Sequence, residues 1–255
     1  MNDIFDLSGR TVLITGGSKG LGKAMAVGFA RAGANLMICS RHADELAATA
    51  KEIHEATGRR VEFTVADLSR RDDVAALVKA TGERMGGIDI LVNNAGSNHP
   101  QLIDAIEDDA WDEIVQLNLS SCMALTRAFV PGMKQRGWGR VIHISSIIAL
   151  AGAPARSVYA ATKAGLMGMA RAQALELGAD GITVNCIAPG PFLTDLPAAK
   201  LTKEQREVIG QRTALKRWAN PDELIGPALL LASNAGSYMT GSVIVVDGGI
   251  LANLT

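Results

Sequence analysis

Short apolar runs alternate with longer stretches of helical period along this chain. Thr11–Thr15, Asn35–Cys39, Val61–Val65, Ile88–Val92, Arg140–Ser145, Ile182–Ile187 and Ser242–Val246 are runs of strand length. Several are apolar nearly throughout, the pattern of parallel strands covered on both faces. Between them, segments at about 20–32, 43–57, 70–85, 108–136, 157–179 and 221–233 read as helices. This alternation predicts right-handed βαβ units and an α/β fold: a doubly wound, parallel, seven-stranded sheet of Rossmann type with helices on both faces. One irregular segment, from Pro189 to about Arg212, interrupts the rhythm. Two prolines open it, and a charged patch follows (Lys200, Lys203, Glu204, Arg206, Glu207). A stretch of this kind inside a compact domain predicts a lid or binding loop.

Composition is compatible with that picture. The 255 residues are 48% hydrophobic and 20% charged, enough for a large core in one domain over 1–255, with the lid at about 189–212. No internal repeat, low-complexity tract or linker divides it. The formal net charge is −1, without the clustered positive charge of a nucleic-acid binder. The start, Met1-Asn2-Asp3, is acidic and no apolar run follows, so no secretory leader is expected. The uncharged stretch Val141–Ala155 falls short of the ~20 apolar residues that span a bilayer. A cytoplasmic protein with no membrane partner is therefore expected. Cys39, Cys122 and Cys186 form no CxxC pair and read as small buried hydrophobes. The four histidines lack HxxxH or HExxH spacing, so no catalytic metal is predicted.

The first strand runs straight into Thr15-Gly16-Gly17-Ser18-Lys19-Gly20-Leu21-Gly22, and a helix follows. Glycines let the backbone turn sharply, approach a pyrophosphate and pack the helix on the sheet. The helix N-terminus then offers free N–H groups to the phosphates. The second strand ends at Ser40-Arg41, where an NAD enzyme usually carries an acidic residue. Lys19 can point into the same space. Two cations and a hydroxyl, with no carboxylate expected close enough to repel it, suit a 2′-phosphate. NADP is therefore expected over NAD, and His42 is read as a surface residue. Asp67 follows the third strand, where it fits either a contact to the adenine amino group or a helix N-cap. Asn93-Asn94-Ala95-Gly96 ends the fourth. Both a cofactor role and a structural role fit those asparagines.

Tyr159 and Lys163 stand one turn apart in a predicted helix and share a face. A free phenol titrates near ~10 and is a poor base at neutral pH. An adjacent ammonium favours the phenolate. Ser146 lies at the C-terminal end of the fifth strand, the end that faces the ligand crevice in such sheets. Its hydroxyl is suited to holding a substrate oxygen. Asn118 is a polar residue among apolar neighbours, Leu117 and Leu119.

Over nearly its whole length the chain resembles the short-chain dehydrogenases/reductases. TGGSKGLG, NNAG at 93–96, Asn118, the serine of HISS, YAATK at 159–163 and Asn185…Pro189-Gly190 stand in the family's order and spacing. The resemblance implies a catalytic tetrad of Asn118, Ser146, Tyr159 and Lys163. In it Tyr159 exchanges the proton and Ser146 orients the carbonyl or hydroxyl. Lys163 holds the nicotinamide ribose, and Asn118 fixes a relay water. It further implies that Thr194 holds the nicotinamide carboxamide. Phe192 departs from the family's usual Ile or Val. TGGSK with ICSR resembles the NADPH-using branch that includes tropinone reductases. The tail RWANPDEL…TGSVIVVDGG is similar to gluconate dehydrogenases and 3-oxoacyl-carrier-protein reductases. The expected cofactor contacts are Gly16, Ser18, Lys19, Gly20, Leu21, Gly22, Ser40, Arg41, Asp67, Leu68, Asn94, Ala95, Gly96, Tyr159, Lys163, Pro189, Gly190, Phe192 and Thr194.

The expected function is NADP-dependent hydride transfer to or from a small carbonyl or secondary alcohol, with a sugar, polyol or hydroxy acid favoured. Phe192, Leu193 and Leu196 would supply apolar contacts from the lid. Asn98, His99, Ile147, Ile148 and Arg156 are candidates for the pocket wall. An acyl thioester on a carrier protein is the alternative substrate, with Lys134, Arg136 and Arg140 as a docking patch. The competing class is a non-catalytic nucleotide-binding regulator on the same fold, which has no use for an intact Ser–Tyr–Lys set. Small residues in the 157–179 helix (Ala161, Ala164, Gly165, Gly168, Ala172) permit close helix packing. With the resemblance, they suggest a homotetramer.

Overall fold

Alternate residues of the first strand, β1 (Thr11–Thr15), enter opposite sides of the molecule: Val12 and Ile14 join one core cluster and Leu13 the other. This is the period of two expected of a strand covered on both faces. The computed structural model describes residues 3–194 and 201–253. The other strands are β2 (Asn35–Ser40), β3 (Val61–Val65), β4 (Ile90–Asn93), β5 (Gly139–Ile144), β6 (Ile182–Pro189) and β7 (Val243–Val246). Their order is β3-β2-β1-β4-β5-β6-β7, and every neighbouring pair is parallel. The fold is the doubly wound, Rossmann-like α/β architecture expected from the sequence.

The helices are α1 (Gly20–Arg31), α2 (Ala43–Thr57), α3 (Arg71–Met85), α4 (Asp108–Val115), α5 (Ser121–Arg136), α6 (Ile148–Ala151), α7 (Ser157–Leu177), α8 (Lys203–Arg212) and α9 (Ile225–Ala232). Residues of α1, α2 and α9 pack in the cluster with Val12 and Ile14, and residues of α3, α5 and α7 in the cluster with Leu13.

Two expectations change. The single helix over 108–136 is divided by a π-turn, Gln116–Ser120, centred on the fully buried Asn118. Such turns take in an extra residue and recur at functional sites. The irregular segment also ends earlier than Arg212. Thr202 Oγ1 accepts from the Gln205 N–H at 3.2 Å, and Gln205 Oε1 accepts from the Thr202 N–H at 3.0 Å. This reciprocal capping box starts α8, so part of the charged patch is helical. Lys200 lies outside the described residues.

Candidate active site

The strand order reverses between β1 and β4, which opens a crevice beyond their C-terminal ends. Thr15 closes β1, and Gly16 after it adopts φ +64°, a region that favours glycine. Further on, a Cβ on Gly22 would collide with the Gly16 carbonyl oxygen. Helix α1 therefore seats directly on the turn, and its first amides carry no side-chain cap. Free N–H groups at a helix N-terminus suit an anion. Across the crevice Thr15 Oγ1 accepts from the N–H groups of Asn94 and Ala95, both at 2.9 Å, and Asn94 Nδ2 donates to Thr15 O at 2.8 Å. The two strand ends are stitched together there.

The cleft that results has a volume of about 290 Å³. Of the expected cofactor contacts, Gly16, Ser18, Lys19, Gly20, Leu21, Gly22, Ser40, Arg41, Asp67, Leu68, Asn94, Ala95, Gly96 and Thr194 line it. Cys39, His42, Glu45, Ala66, Ser97 and Leu117 line it as well. Burial pushes the Cys39 thiol up to about 12, so it presents a neutral wall. Tyr159, Lys163, Pro189, Gly190 and Phe192 do not line this cleft. Pro189 O accepts from the Ile147 N–H at 3.2 Å and the Gly190 N–H donates to Val246 O at 2.9 Å. A larger hollow, about 640 Å³, lies between the N-terminal segment, α1 and α9, away from the strand ends and the glycine turn.

Three expectations need correction. Phe192 does not offer its ring to a ligand: it is 4% exposed, packed in the core, and its backbone bridges to Ala219. Leu193 beside it is exposed, and Leu196 lies outside the described residues. The phosphate corner does contain a carboxylate. Glu45, in the first turn of α2, accepts from Ser18 Oγ at 3.0 Å and from Lys19 Nζ at 3.1 Å. It is 26 residues from Lys19 in the chain, and only the fold brings them together. The proposed docking patch also dissolves. Lys134 pairs with Asp180 at 2.7 Å and Arg136 with Asp89 at 3.1 Å. Arg140 is buried, stacked at 4.3 Å on the Trp138 ring. It stands at the start of β5, about 20 Å of strand away from Ser146.

Asp67 is not the N-cap of α3, a position held by Arg70. Its Oδ1 accepts from the Ser69 N–H at 3.0 Å and Oγ at 2.8 Å, so a local turn fixes it on the cleft wall.

At the other end, Lys163 reaches across from α7 to donate to Ile144 O at 2.7 Å, and Ser145 Oγ donates to Lys163 O at 2.7 Å. Both bonds pin α7 to β5. The buried Lys163 Nζ lies 5.8 Å from the centroid of the half-buried Tyr159 ring. A Cβ on Gly96 would sit 3.1 Å from Lys163 Nζ and 3.1 Å from Asn118 Oδ1. Gly96 thus joins the cleft to the catalytic candidates. Ser146 follows β5 and is 7% exposed; its Oγ accepts from the Ile148 N–H at 3.1 Å. Asn118 Nδ2 donates to Ser97 O at 2.9 Å and to Thr162 Oγ1 at 3.2 Å. Of the pocket-wall candidates, His99 is exposed and Ile147, Ile148 and Arg156 are half-buried.

Behind these strand ends the sequence reading missed a buried polar chain. His143 Nδ1 lies 3.1 Å from Asn93 Nδ2, and its Nε2 lies 3.3 Å from Gln173 Oε1. With the amide donating to Nδ1, the ring proton sits on Nε2 and donates to Gln173. Burial pushes the ring down to about 4, so it is neutral.

Among the described residues no group of three or more His, Cys, Asp and Glu could hold a metal ion, and no helix is long and apolar enough to cross a membrane. Fold and cleft together define a class: a doubly wound α/β protein with a glycine-lined cleft, suited to a nucleotide, at the point where its strand order reverses. A family model described as enoyl-(acyl carrier protein) reductase matches residues 16–251. A 3-oxoacyl-(acyl-carrier-protein) reductase of Chlamydia trachomatis is 37% identical over 244 residues, covering 96% of this chain and 98% of that one. The structure of L-sorbose reductase from Gluconobacter frateurii, complexed with NADPH and L-sorbose, matches with a TM-score of 0.92 and 35% identity over 99% of this chain and 100% of that one. A gluconate 5-dehydrogenase from Burkholderia cenocepacia, in complex with NADP and tartrate, matches with a TM-score of 0.92 and 34% identity over 99% of each. The chain belongs to the short-chain dehydrogenase/reductase family, NAD(P)-dependent oxidoreductases that act on CH–OH groups.

Proposed function

We propose that this enzyme uses NADP to interconvert a ketone and a secondary alcohol on a small polyhydroxylated or hydroxy-acid substrate, with Tyr159 as its proton donor and acceptor. The observation that carries the reading is the Lys163 ammonium, 5.8 Å from the Tyr159 ring and next to Gly96 of the cofactor cleft. The glycine turn fits a dinucleotide, because Gly22, where any Cβ would strike the Gly16 carbonyl oxygen, lets α1 seat on the turn with its first amides uncapped and free for phosphates. Lys19, Ser40 and Arg41 support a 2′-phosphate there, as do the NADP(H) complexes of the sorbose reductase and the gluconate dehydrogenase. Bound nicotinamide supplies or accepts the hydride.

This chain's residues handle the proton. Ser146 donates to the substrate oxygen and holds it. Tyr159 gives its proton to that oxygen during reduction and takes one back during oxidation. The Lys163 charge stabilises negative charge as it develops on the phenol. Asn118 fixes Ser97 and Thr162 and with them the wall through which protons return from solvent. An acid placed in this way contributes ~10²–10⁴-fold.

The names of the sugar-acting relatives support the substrate class. The carrier-protein reductase supports a second reading, a 3-oxoacyl thioester. The assembly is a cytoplasmic homotetramer of one-domain subunits. Small residues on α7, the exposed Val245 of the edge strand β7 and the exposed Tyr238 before that strand support the contacts this needs. The test is NADPH absorbance against a panel of ketoses, keto acids and 3-oxoacyl thioesters. Turnover confined to thioesters selects the second reading, and no turnover on any arm rejects both.

A further inference from the structure

The corner of the cleft beneath Ser40 and Arg41 is not purely cationic. Glu45 binds Lys19 Nζ at 3.1 Å and the 6%-exposed Ser18 at Oγ, at 3.0 Å. Arg41 shares the same cleft and, among the described residues, has no ion-pair partner. The corner therefore carries two cations and one anion, with the anion already on Lys19. Glu45 is well suited to stay there. Carboxylates are favoured in the first turn of a helix, and this one is in the first turn of α2. Burial would raise its titration point, yet the bonds from Lys19 and Ser18 hold it below the ordinary carboxylate range.

We propose that Glu45 is a specificity-determining residue: an internal anion that occupies Lys19 and Ser18, and that a 2′-phosphate must displace or sit beside. The proposal rests on the NADP reading above and goes beyond it. A phosphate brings up to two negative charges, and Glu45 adds a third at the same cations. NADP is held by Lys19 at the expense of an existing bond, whereas NAD, with only a 2′-hydroxyl, leaves that bond intact. Glu45 thereby sets NADP selectivity below what Lys19 and Arg41 alone would give. It also offsets one of the corner's two cations when no phosphate is bound.

The probes are adenosine 2′,5′-bisphosphate and 5′-AMP, titrated calorimetrically into the full chain. In Glu45→Gln the amide oxygen still accepts from Lys19 while the charge is gone. We expect Glu45→Gln to tighten the bisphosphate about 3–5-fold, the upper scale of one exposed charge contact, and to leave 5′-AMP within about twofold. The gap between wild type and variant should narrow as salt rises from low to high concentration. Glu45→Ala should move the same way. An unchanged or weakened bisphosphate affinity in Glu45→Gln overturns the proposal, because Glu45 would then orient Lys19 for the phosphate. Wild-type indifference between the two probes is a separate outcome: it defeats the NADP reading. The Glu45 proposal is judged in either case on the shift between wild type and variant.

Discussion

Asn118 grips Ser97 by both ends of its amide: Oδ1 accepts from the Ser97 N–H at 2.9 Å, and Nδ2 donates to the Ser97 carbonyl at 2.9 Å. A π-turn carries one partner, and the segment leaving β4 carries the other. Asn118→Ala should lower stability by about 2–4 kcal/mol, since two buried bonds go and their backbone partners are stranded. Urea denaturation measures this; a loss under about 0.5 kcal/mol would show that the clamp is not structural.

The reaction should stop without the phenol. Tyr159→Phe removes the proton and keeps the ring against Lys163. Turnover should fall by ~10²–10⁴-fold, with NADPH affinity unchanged by fluorescence titration. Wild-type turnover in this variant would eliminate the mechanism.

Cofactor choice should follow charge. Arg41→Asp replaces an attraction with a repulsion at the 2′-phosphate. The NADP-to-NAD ratio of kcat/KM should fall by about 10–100-fold. An unmoved ratio would take Arg41 out of the phosphate corner.

His143 makes the fold sensitive to acid. Its folded-state value is depressed to about 4, with burial the leading cause, against an ordinary ~6.5. The unfolded chain thus binds the proton first. The stabilising contribution is full above about pH 6.5 and is lost as pH falls toward 4, amounting to about 3 kcal/mol at the limit. His143→Gln should flatten the fall in stability between pH 7 and pH 5 relative to wild type. Equal slopes in the two proteins would mean that this ring does not titrate on unfolding.

What was readable in the sequence was local. The strands were legible because both faces are covered and the runs are apolar. The glycine turn was legible because strand, glycines and helix follow one another directly. Tyr159 and Lys163 share a helix turn, so their proximity needed no tertiary information. The illegible parts depend on residues far apart in the chain. Glu45 meets Lys19 only when α2 packs beside the turn. Lys134 and Arg136 read as free charges until Asp180 and Asp89 arrive. Phe192 looked like a lid residue, but a bridge to Ala219 turns it into the core. The π-turn at Asn118 has no hydrophobic period to announce it. The start of α8 was readable in principle, since Thr202 and Gln205 have capping-box spacing.

The stitch between Thr15 and the Asn94–Ala95 amides limits how the molecule can breathe. One buried hydroxyl joins two parallel strands at the very place where their connections diverge, so this wall of the crevice cannot gape by peeling apart. Those amides border an open hollow, yet they should exchange with heavy water only when the central sheet comes undone.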